Sequence, residues 1–157
     1  MKTVLITGFN GFVGRNLSVT LEQRKDLNVL GFDIENSDTE LELAVERADF
    51  IFHLAGVNRP CNVEEFTTGN LGLTEKILAL LRQHAKATPL LISSSIQAAL
   101  ANPYGVSKRA AEEAVFEYGR DTGASVYVYR LPNVFGKWCR PNYNSAIATF
   151  CNNIAHG

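Results

Sequence analysis

The sequence predicts an α/β fold built on a parallel, doubly wound sheet. Five short apolar runs, at residues 4–6, 29–32, 50–54, 90–92 and 126–129, alternate along the chain with segments of helical periodicity. This alternation is typical of parallel strands joined by crossover helices. Because the runs are apolar throughout, we expect the strands to be buried on both faces of the sheet.

The first run leads into a glycine motif, TGFNGFVG, at residues 7–14. Val13, Leu17 and Leu21 then recur at helical spacing, so the order is strand, tight turn and helix. Glycines in such a turn permit positive φ and the close approach of a pyrophosphate, which the free amides of the helix N-terminus can bind. The motif predicts a Rossmann-like dinucleotide site, and a purely structural turn is the alternative. Its candidate cofactor-binding residues are Gly8, Phe9, Asn10, Gly11, Phe12, Val13 and Gly14.

An acidic residue ends the second predicted strand. Asp33 is placed to accept hydrogen bonds from an adenosine ribose and to repel a 2′-phosphate, which favours NAD over NADP. Two alternatives stay open. Asp33 is a surface-loop aspartate without a ligand, or Arg15 offsets its repulsion of a 2′-phosphate.

Small residues follow the third predicted strand. Leu54, Ala55 and Gly56 would let the loop pass close to the adenosine, with an ordinary turn as the alternative. We expect His53, at the end of this strand, to be a half-buried histidine with satisfied hydrogen bonds and no catalytic role. Helices are predicted at residues 39–47 and 63–84, on either side of the strand in sequence.

Three serines, residues 93–95, follow the fourth run and so lie at the carboxyl end of a strand. Ligands of open α/β sheets bind at that edge. Ser94 or Ser95 could therefore hydrogen-bond a substrate carbonyl, and a polar loop that caps the strand is the alternative.

Tyr104 and Lys108 lie four residues apart on a helix predicted for residues 103–122, where Pro103 suits the first position. Side chains at this spacing share one face. An ammonium about 6 Å from a phenolate contributes roughly 3 kcal/mol at an effective dielectric constant of about 20, which would lower a tyrosine pKa from about 10 towards about 8. The pair is a candidate catalytic acid with its activating cation, and a solvated helix face is the alternative.

The same helix carries a predicted core stripe, and a second amphipathic helix ends the chain. The stripe consists of Ala110, Ala111, Ala114, Val115 and Tyr118. At residues 145–156 we expect a helix whose inward residues are Ile147, Phe150, Cys151 and Ile154.

Composition predicts a single globular domain over residues 1–157, with 46% hydrophobic and 20% charged residues. A net charge of −1 gives no general attraction to nucleic acid or anionic membranes, and no apolar run is long enough to span a bilayer. We expect a cytoplasmic protein, because charges interrupt the apolar stretches near Met1. Its three cysteines lack a CxxC pattern and its histidines lack metal-ligand spacing, so we expect reduced thiols and no metal.

Together, the TGxxGxxG turn, the serine after a middle strand and the YxxxK pair resemble the extended short-chain dehydrogenase/reductase family. The resemblance covers essentially the whole chain and implies a catalytic set drawn from Ser94, Ser95, Tyr104 and Lys108, of which Tyr104 and Lys108 also hold the cofactor. It implies that Asn70 maintains a proton path, although a locally bonded helix asparagine is equally compatible. It further implies that Leu131 lines the nicotinamide and that Asn133 contacts substrate. Members of the family are longer, so the resemblance implies a truncated chain that lacks most of the substrate domain.

Three longer strings, at residues 53–60, 93–98 and 135–145, resemble the family's capsular-polysaccharide branch. This implies NAD(P)H-dependent reduction of a UDP-linked 2-acetamido-2,6-dideoxy-4-hexulose, with NADP as cofactor, against the indication from Asp33. Lys137, Arg140 and Asn144 would suit the diphosphate of such a substrate, and a basic surface loop is the alternative. A 4-epimerase with tightly bound NAD and a non-catalytic dinucleotide-binding sensor or scaffold are the rival functions. An uncovered sheet edge would favour a homodimer.

Overall fold

The computed structural model describes residues 1–157 and contains one five-stranded parallel sheet. The strands are β1 (Lys2–Thr7), β2 (Leu27–Phe32), β3 (Phe50–His53), β4 (Leu90–Ser95) and β5 (Val126–Leu131), in the spatial order β2-β1-β3-β4-β5. The predicted α/β class and all five strands are confirmed. Strand order reverses between β1 and β3, which makes the carboxyl ends of these two strands the topological switch point where such sheets bind ligands.

Helices connect the strands and pack on the sheet. They are α1 (Phe12–Glu22), α2 (Asp38–Arg47), the short α3 (Glu64–Phe66), α4 (Leu73–Gln83), α5 (Pro103–Thr122) and α6 (Ala146–His156). The helix α4 packs between α2 and α5, while α1 contacts β1 and β2. None of the helices combines the length and the hydropathy that a membrane-spanning segment requires.

The main core lies between the sheet and the layer formed by α2, α4 and α5. Leu5, Ile51 and Leu90 are fully buried here, and three residues of the predicted stripe on α5 join them, namely Ala111, Val115 and Tyr118. Each fully buried aliphatic side chain contributes roughly 1.5–3 kcal/mol, so this layer fixes α5 firmly on the sheet.

The N-terminus of α5 is capped by the sequence around Pro103. The side chain of Asn102 accepts a hydrogen bond from the Gly105 amide at 2.7 Å, and Pro103 occupies the first turn. An N-cap of this kind contributes about 1 kcal/mol. Because the cap fixes where the helix begins, it also fixes the direction in which Tyr104 leaves the first turn.

The prediction of one continuous α-helix over residues 63–84 is wrong, because the helix is interrupted. A π-helical turn, Thr67–Gly72, separates α3 from α4. A Cβ atom on Gly69 would lie 2.3 Å from Cγ2 of Val57, so the loop after β3 presses on this turn. The widened turn carries Asn70 inward, where only 2% of its surface is exposed.

Two predicted buried surfaces are exposed. On β5, Tyr127 and Tyr129 are 45% and 55% exposed, so this strand is not buried on both faces. On α6, the expected inward residues Ile147, Phe150, Cys151 and Ile154 all face solvent to a large extent. Helical periodicity identifies an apolar face but not the surface that covers it, and α6 lies beside the loop of residues 135–141 instead of on the sheet.

Candidate active site and dinucleotide cradle

The glycine motif forms a tight turn at the switch point. Gly8 has φ of +69°, and a Cβ atom there would lie 2.7 Å from the Ala55 nitrogen. A Cβ atom on Gly14 would lie 2.1 Å from the Gly8 carbonyl oxygen. Both positions therefore require glycine, since any side chain would push the turn away from α1 or from the loop after β3.

The first turn of α1 is left free to bind an anion. Its N-cap residue, Gly11, supplies no side-chain hydrogen bond. The amides of the first turn, which includes Phe12 and Val13, point along the positive end of the helix dipole. We call the glycine turn of residues 7–14, with the first turn of α1, the cradle. The Phe9 ring packs over Gly31 on β2, which leaves only the Phe9 backbone facing the cradle. The residues present thus fit a dinucleotide pyrophosphate.

Asp33 fastens this cradle to β2. Its carboxylate accepts hydrogen bonds from the amides of Asn10, at 2.7 Å, and Ile34, at 2.9 Å. Each carboxylate oxygen keeps a further lone pair, so the side chain can still accept from a ribose hydroxyl. The ribose-binding role of Asp33 stays a prediction, and the two hydrogen bonds add a structural role.

A chain of hydrogen bonds through Thr7, His53 and Thr74 holds the loop Leu54–Gly56, and the donor of each bond can be assigned. The Ala55 amide donates to Thr7 Oγ1, and Thr7 Oγ1 lies 2.7 Å from His53 Nδ1. On the other side of the ring, His53 Nε2 lies 2.9 Å from Thr74 Oγ1, which donates to the Asn70 carbonyl at 2.6 Å. Since Thr74 spends its proton on that carbonyl, His53 must carry its own proton on Nε2 and accept from Thr7 at Nδ1.

His53 is therefore a satisfied core histidine, as expected, although it is fully buried and not half-buried. Burial, and the charge of Lys108 to a smaller extent, lower the pKa of His53 from 6.5 to about 3. The ring stays neutral throughout the physiological range, which suits a structural role and not acid catalysis.

Asn70 joins the π-helical turn to both the loop after β3 and α5. Its amide bonds the Val57 nitrogen and carbonyl, and its Nδ2 donates to Ser107 Oγ at 3.0 Å. A Cβ atom on Gly56 would lie 2.9 Å from Asn70 Oδ1 and 3.4 Å from Lys108 Nζ. The asparagine and the lysine thus meet beneath Gly56, close to the cradle.

Lys108 is buried, with 6% of its surface exposed. Burial lowers the pKa of its ammonium from 10.5 to about 8, and the negative charge of Glu112 acts in the opposite direction. The side chain is therefore a cation at neutral pH that sits close to losing its proton.

Tyr104 lies at the rim, packed against Phe66 with a centroid separation of 5.5 Å. Burial raises the pKa of the Tyr104 phenol, and a hydrogen bond with Ser95 lowers it in part. The expected net lowering of this pKa by Lys108 is wrong for the chain as it stands. The charge of Lys108 acts mainly on groups further inside, His53 and Glu112, while Phe66 takes water away from the phenol.

The structure separates the two candidate serines. Ser94 is buried and its hydroxyl donates to Glu112, so it faces the interior. The prediction of Ser94 as a catalytic residue is therefore corrected. Ser95 is half-buried, lies near enough to the phenol of Tyr104 to lower its pKa, and accepts a hydrogen bond from the Gln97 amide at 3.2 Å. Successive residues of a strand point to opposite faces, which is why only one of them can serve the edge.

The loop after β5 holds the remaining candidates. Leu131 is the register partner of Ser95 at the carboxyl edge. Asn133, Lys137 and Arg140 are exposed, and the Lys137 ammonium lies over the Trp138 ring at 4.4 Å. No contact joins these three side chains to Tyr104 or Lys108. A 330 Å³ cavity between this loop and α6 is likewise lined by none of the catalytic candidates.

Asn144 has a partner that the sequence did not suggest. Its Oδ1 accepts from Arg59 Nε at 2.8 Å, and the Arg59 guanidinium lies 5.0 Å from the centre of the Tyr143 ring. Arg59 and Phe66 are residues on this side of the site that sequence reasoning missed. Arg59 carried a weak signal, since it follows the small residues of the loop after β3.

Comparison with known proteins decides the family. Residues 4–157 match the profile of the NAD dependent epimerase/dehydratase family. The chain belongs to this family. The predicted resemblance to extended short-chain dehydrogenases/reductases is thereby confirmed.

The chain is similar to two longer bacterial proteins. It is 56% identical over 151 residues to UDP-2-acetamido-2,6-beta-L-arabino-hexul-4-ose reductase of Pseudomonas aeruginosa, covering 96% of the chain and 41% of the relative. It superposes on the capsular polysaccharide assembling protein CapF from Staphylococcus aureus with a TM-score of 0.85 and 49% identity, covering 97% of this chain and 41% of that one. The chain thus spans about two fifths of these relatives.

A solved structure of lower sequence identity contains a nicotinamide cofactor. RMD from Pseudomonas aeruginosa, solved in complex with NADPH, is 26% identical with a TM-score of 0.81, over 99% of this chain and 61% of that one.

Proposed function

We propose that this chain is the cofactor-binding part of an NAD(P)H-dependent reductase that acts on a UDP-linked 2-acetamido-2,6-dideoxy-4-hexulose. The observation that carries the proposal is the placement of three groups at the edge where ligands of such sheets bind: Lys108 lies beneath Gly56 beside the cradle, Tyr104 lies one helical turn before it on α5, and Ser95 ends β4. The high identity to a reductase of this substrate class supports the choice of sugar.

The proposed chemistry assigns each side chain one task. Bound NAD(P)H supplies the hydride that reduces the C4 ketone. Tyr104 donates the phenolic proton to the carbonyl oxygen, and Ser95 orients that oxygen with a hydrogen bond. Lys108 stabilises the phenolate that Tyr104 leaves behind and holds the cofactor ribose. Asn133, Lys137, Arg140 and Asn144 are the proposed contacts for the substrate.

The Tyr104 phenol needs a nearby cation to lower its pKa before it is an effective acid. Burial raises its pKa in the chain, so we propose that the Lys108 ammonium contacts Tyr104 when cofactor and substrate are bound. The buried position of Lys108, one helical turn from Tyr104, supports this step.

For the nicotinamide cofactor we propose NADPH, on the resemblance to the capsular branch and the NADPH complex of RMD. The Asp33 carboxylate favours NAD, because it would repel a 2′-phosphate. Titration of the chain with NADPH and NADH by fluorescence decides between them, and tighter binding of NADH would overturn the choice. We place the enzyme in the cytoplasm as a homodimer.

The activity is tested in a chimera in which residues 1–157 replace the matching segment of the Pseudomonas aeruginosa reductase. We expect one NADPH to be oxidised for each 4-keto sugar consumed. Interconversion of UDP-sugars without net oxidation would instead indicate a 4-epimerase. Cofactor binding with no sugar-dependent reaction would indicate a sensor or scaffold.

A further inference from the structure

The helix α5 carries a third polar side chain in line with Tyr104 and Lys108. Glu112 follows Lys108 by four residues, as Lys108 follows Tyr104, so the three positions stand above one another on one helix face. The Glu112 side chain is 3% exposed. A carboxylate so deeply buried is costly unless it is paired, and the proposed chemistry gives it no task.

Glu112 is held from two adjacent strands. Arg130 Nε lies 3.0 Å from Oε1 and Arg130 Nη2 lies 2.6 Å from Oε2, while Ser94 donates to Oε1. Ser94 and Arg130 are register partners on β4 and β5, so the sheet presents both groups side by side to α5. A two-pronged arginine contact of this kind fixes the position of the carboxylate as well as its charge.

We propose that Glu112 is a positioning residue that holds the Lys108 ammonium in its charged form within the buried site. The inference deepens the proposed function and rests on it, since it concerns the cation that serves Tyr104. The groups near Lys108 are the neutral His53 on β3, Asn70 on the π-helical turn, and, one helical turn to either side on α5, Tyr104 and Glu112. Among them Glu112 supplies the negative charge.

The Arg130 charge does not cancel this effect. The Arg130 side chain is 47% exposed, so water screens its charge, whereas Glu112 and Lys108 are both buried. The direction of the pKa effects agrees: burial lowers the pKa of Lys108 and Glu112 raises it, with about 8 as the result. Without the carboxylate, the pKa of Lys108 would be lower still.

The test measures the titration of Lys108 in the chain itself, without cofactor or substrate. The chain is labelled with ¹³C-lysine, and its Lys108 signal is assigned by its absence in Lys108→Met. For Glu112→Gln we expect the pKa of Lys108 to fall by about one pH unit or more. The control Glu113→Gln changes the neighbouring exposed carboxylate and should leave the Lys108 titration unchanged.

A second variant separates charge from structural damage. In Arg130→Gln the carboxylate loses its competing cation, so the pKa of Lys108 should rise. Damage to the fold would move both variants in the same direction. An unchanged Lys108 titration in folded Glu112→Gln, or a fall in Arg130→Gln, overturns the inference. Neither result bears on the proposed reduction, which the chimera assay tests separately.

Discussion

Gly8 and Gly14 are in contact across the glycine turn of the cradle, where a Cβ atom on Gly14 would lie 2.1 Å from the carbonyl oxygen of Gly8. This contact joins the end of β1 to the first turn of α1, and therefore sets the width of the cradle.

Replacement of Gly14 by alanine should open the cradle. The overlap with a backbone atom must be relieved by moving α1, which costs about 1–3 kcal/mol. We expect a lower melting temperature and at least a tenfold loss of NADPH affinity, about 1.4 kcal/mol. Calorimetry and fluorescence titration measure the two effects. Gly72→Ala is the matched control, because a Cβ atom there has its nearest neighbour at 4.0 Å.

His53 should make the chain sensitive to acid. Its folded pKa, about 3, lies below the ordinary 6.5, so the unfolded chain binds a proton that the native chain refuses. The stability from this residue is complete above pH 6.5 and is lost as the pH falls towards 3, by about 2 kcal/mol at pH 5. Urea unfolding of the chain and of His53→Gln at pH 7.5 and 5 should show a smaller acid loss in the variant. Equal losses would contradict this account of the ring.

Lys108 should weaken the fold at neutral pH. Its folded pKa, about 8, lies below 10.5, so the native chain gains stability as the pH rises from about 8 to about 10.5 and loses it as the pH falls. Holding this cation in the interior costs about 3 kcal/mol at pH 7. We therefore expect Lys108→Met to be more stable than the unaltered chain at pH 7, with a smaller difference at pH 9.5. Denaturant unfolding measures both, and the half-exposed Lys76→Met is the control.

The two serines should differ in what their loss affects. In the chimera, Ser95→Ala should lower kcat/KM by about 100-fold, since it removes the donor that orients the carbonyl. Ser94→Ala should leave kcat/KM within a few fold and reduce stability by about 1–2 kcal/mol, because Glu112 loses a buried partner. Steady-state kinetics and thermal unfolding of both variants are the measurements. The reverse ranking would return Ser94 to the site.

Local sequence signals were sufficient for the strands, the cradle and the start of α5. The glycines of residues 8–14 and the Asn102–Pro103 cap act within a few residues of themselves, so their consequences could be predicted without a fold. The same reasoning placed Tyr104 and Lys108 on one helix face.

What the sequence missed depends on contacts between distant segments. The π-helical turn follows from the approach of Val57 to Gly69, and the raised pKa of Tyr104 follows partly from Phe66, 38 positions earlier in the chain. The choice of Ser95 over Ser94 required the position of Glu112 on α5. These are tertiary effects, which override local preference.

The central claim is that the Tyr104 phenol supplies the proton for reduction beside a cofactor held on the glycine cradle. Its most direct test is the sugar-dependent oxidation of NADPH by the chimera carrying Tyr104→Phe, with NADPH affinity measured on the same preparation. We predict that turnover falls by about 1,000-fold or more while the affinity changes less than about twofold. Turnover within about tenfold of the unaltered chimera would contradict the account.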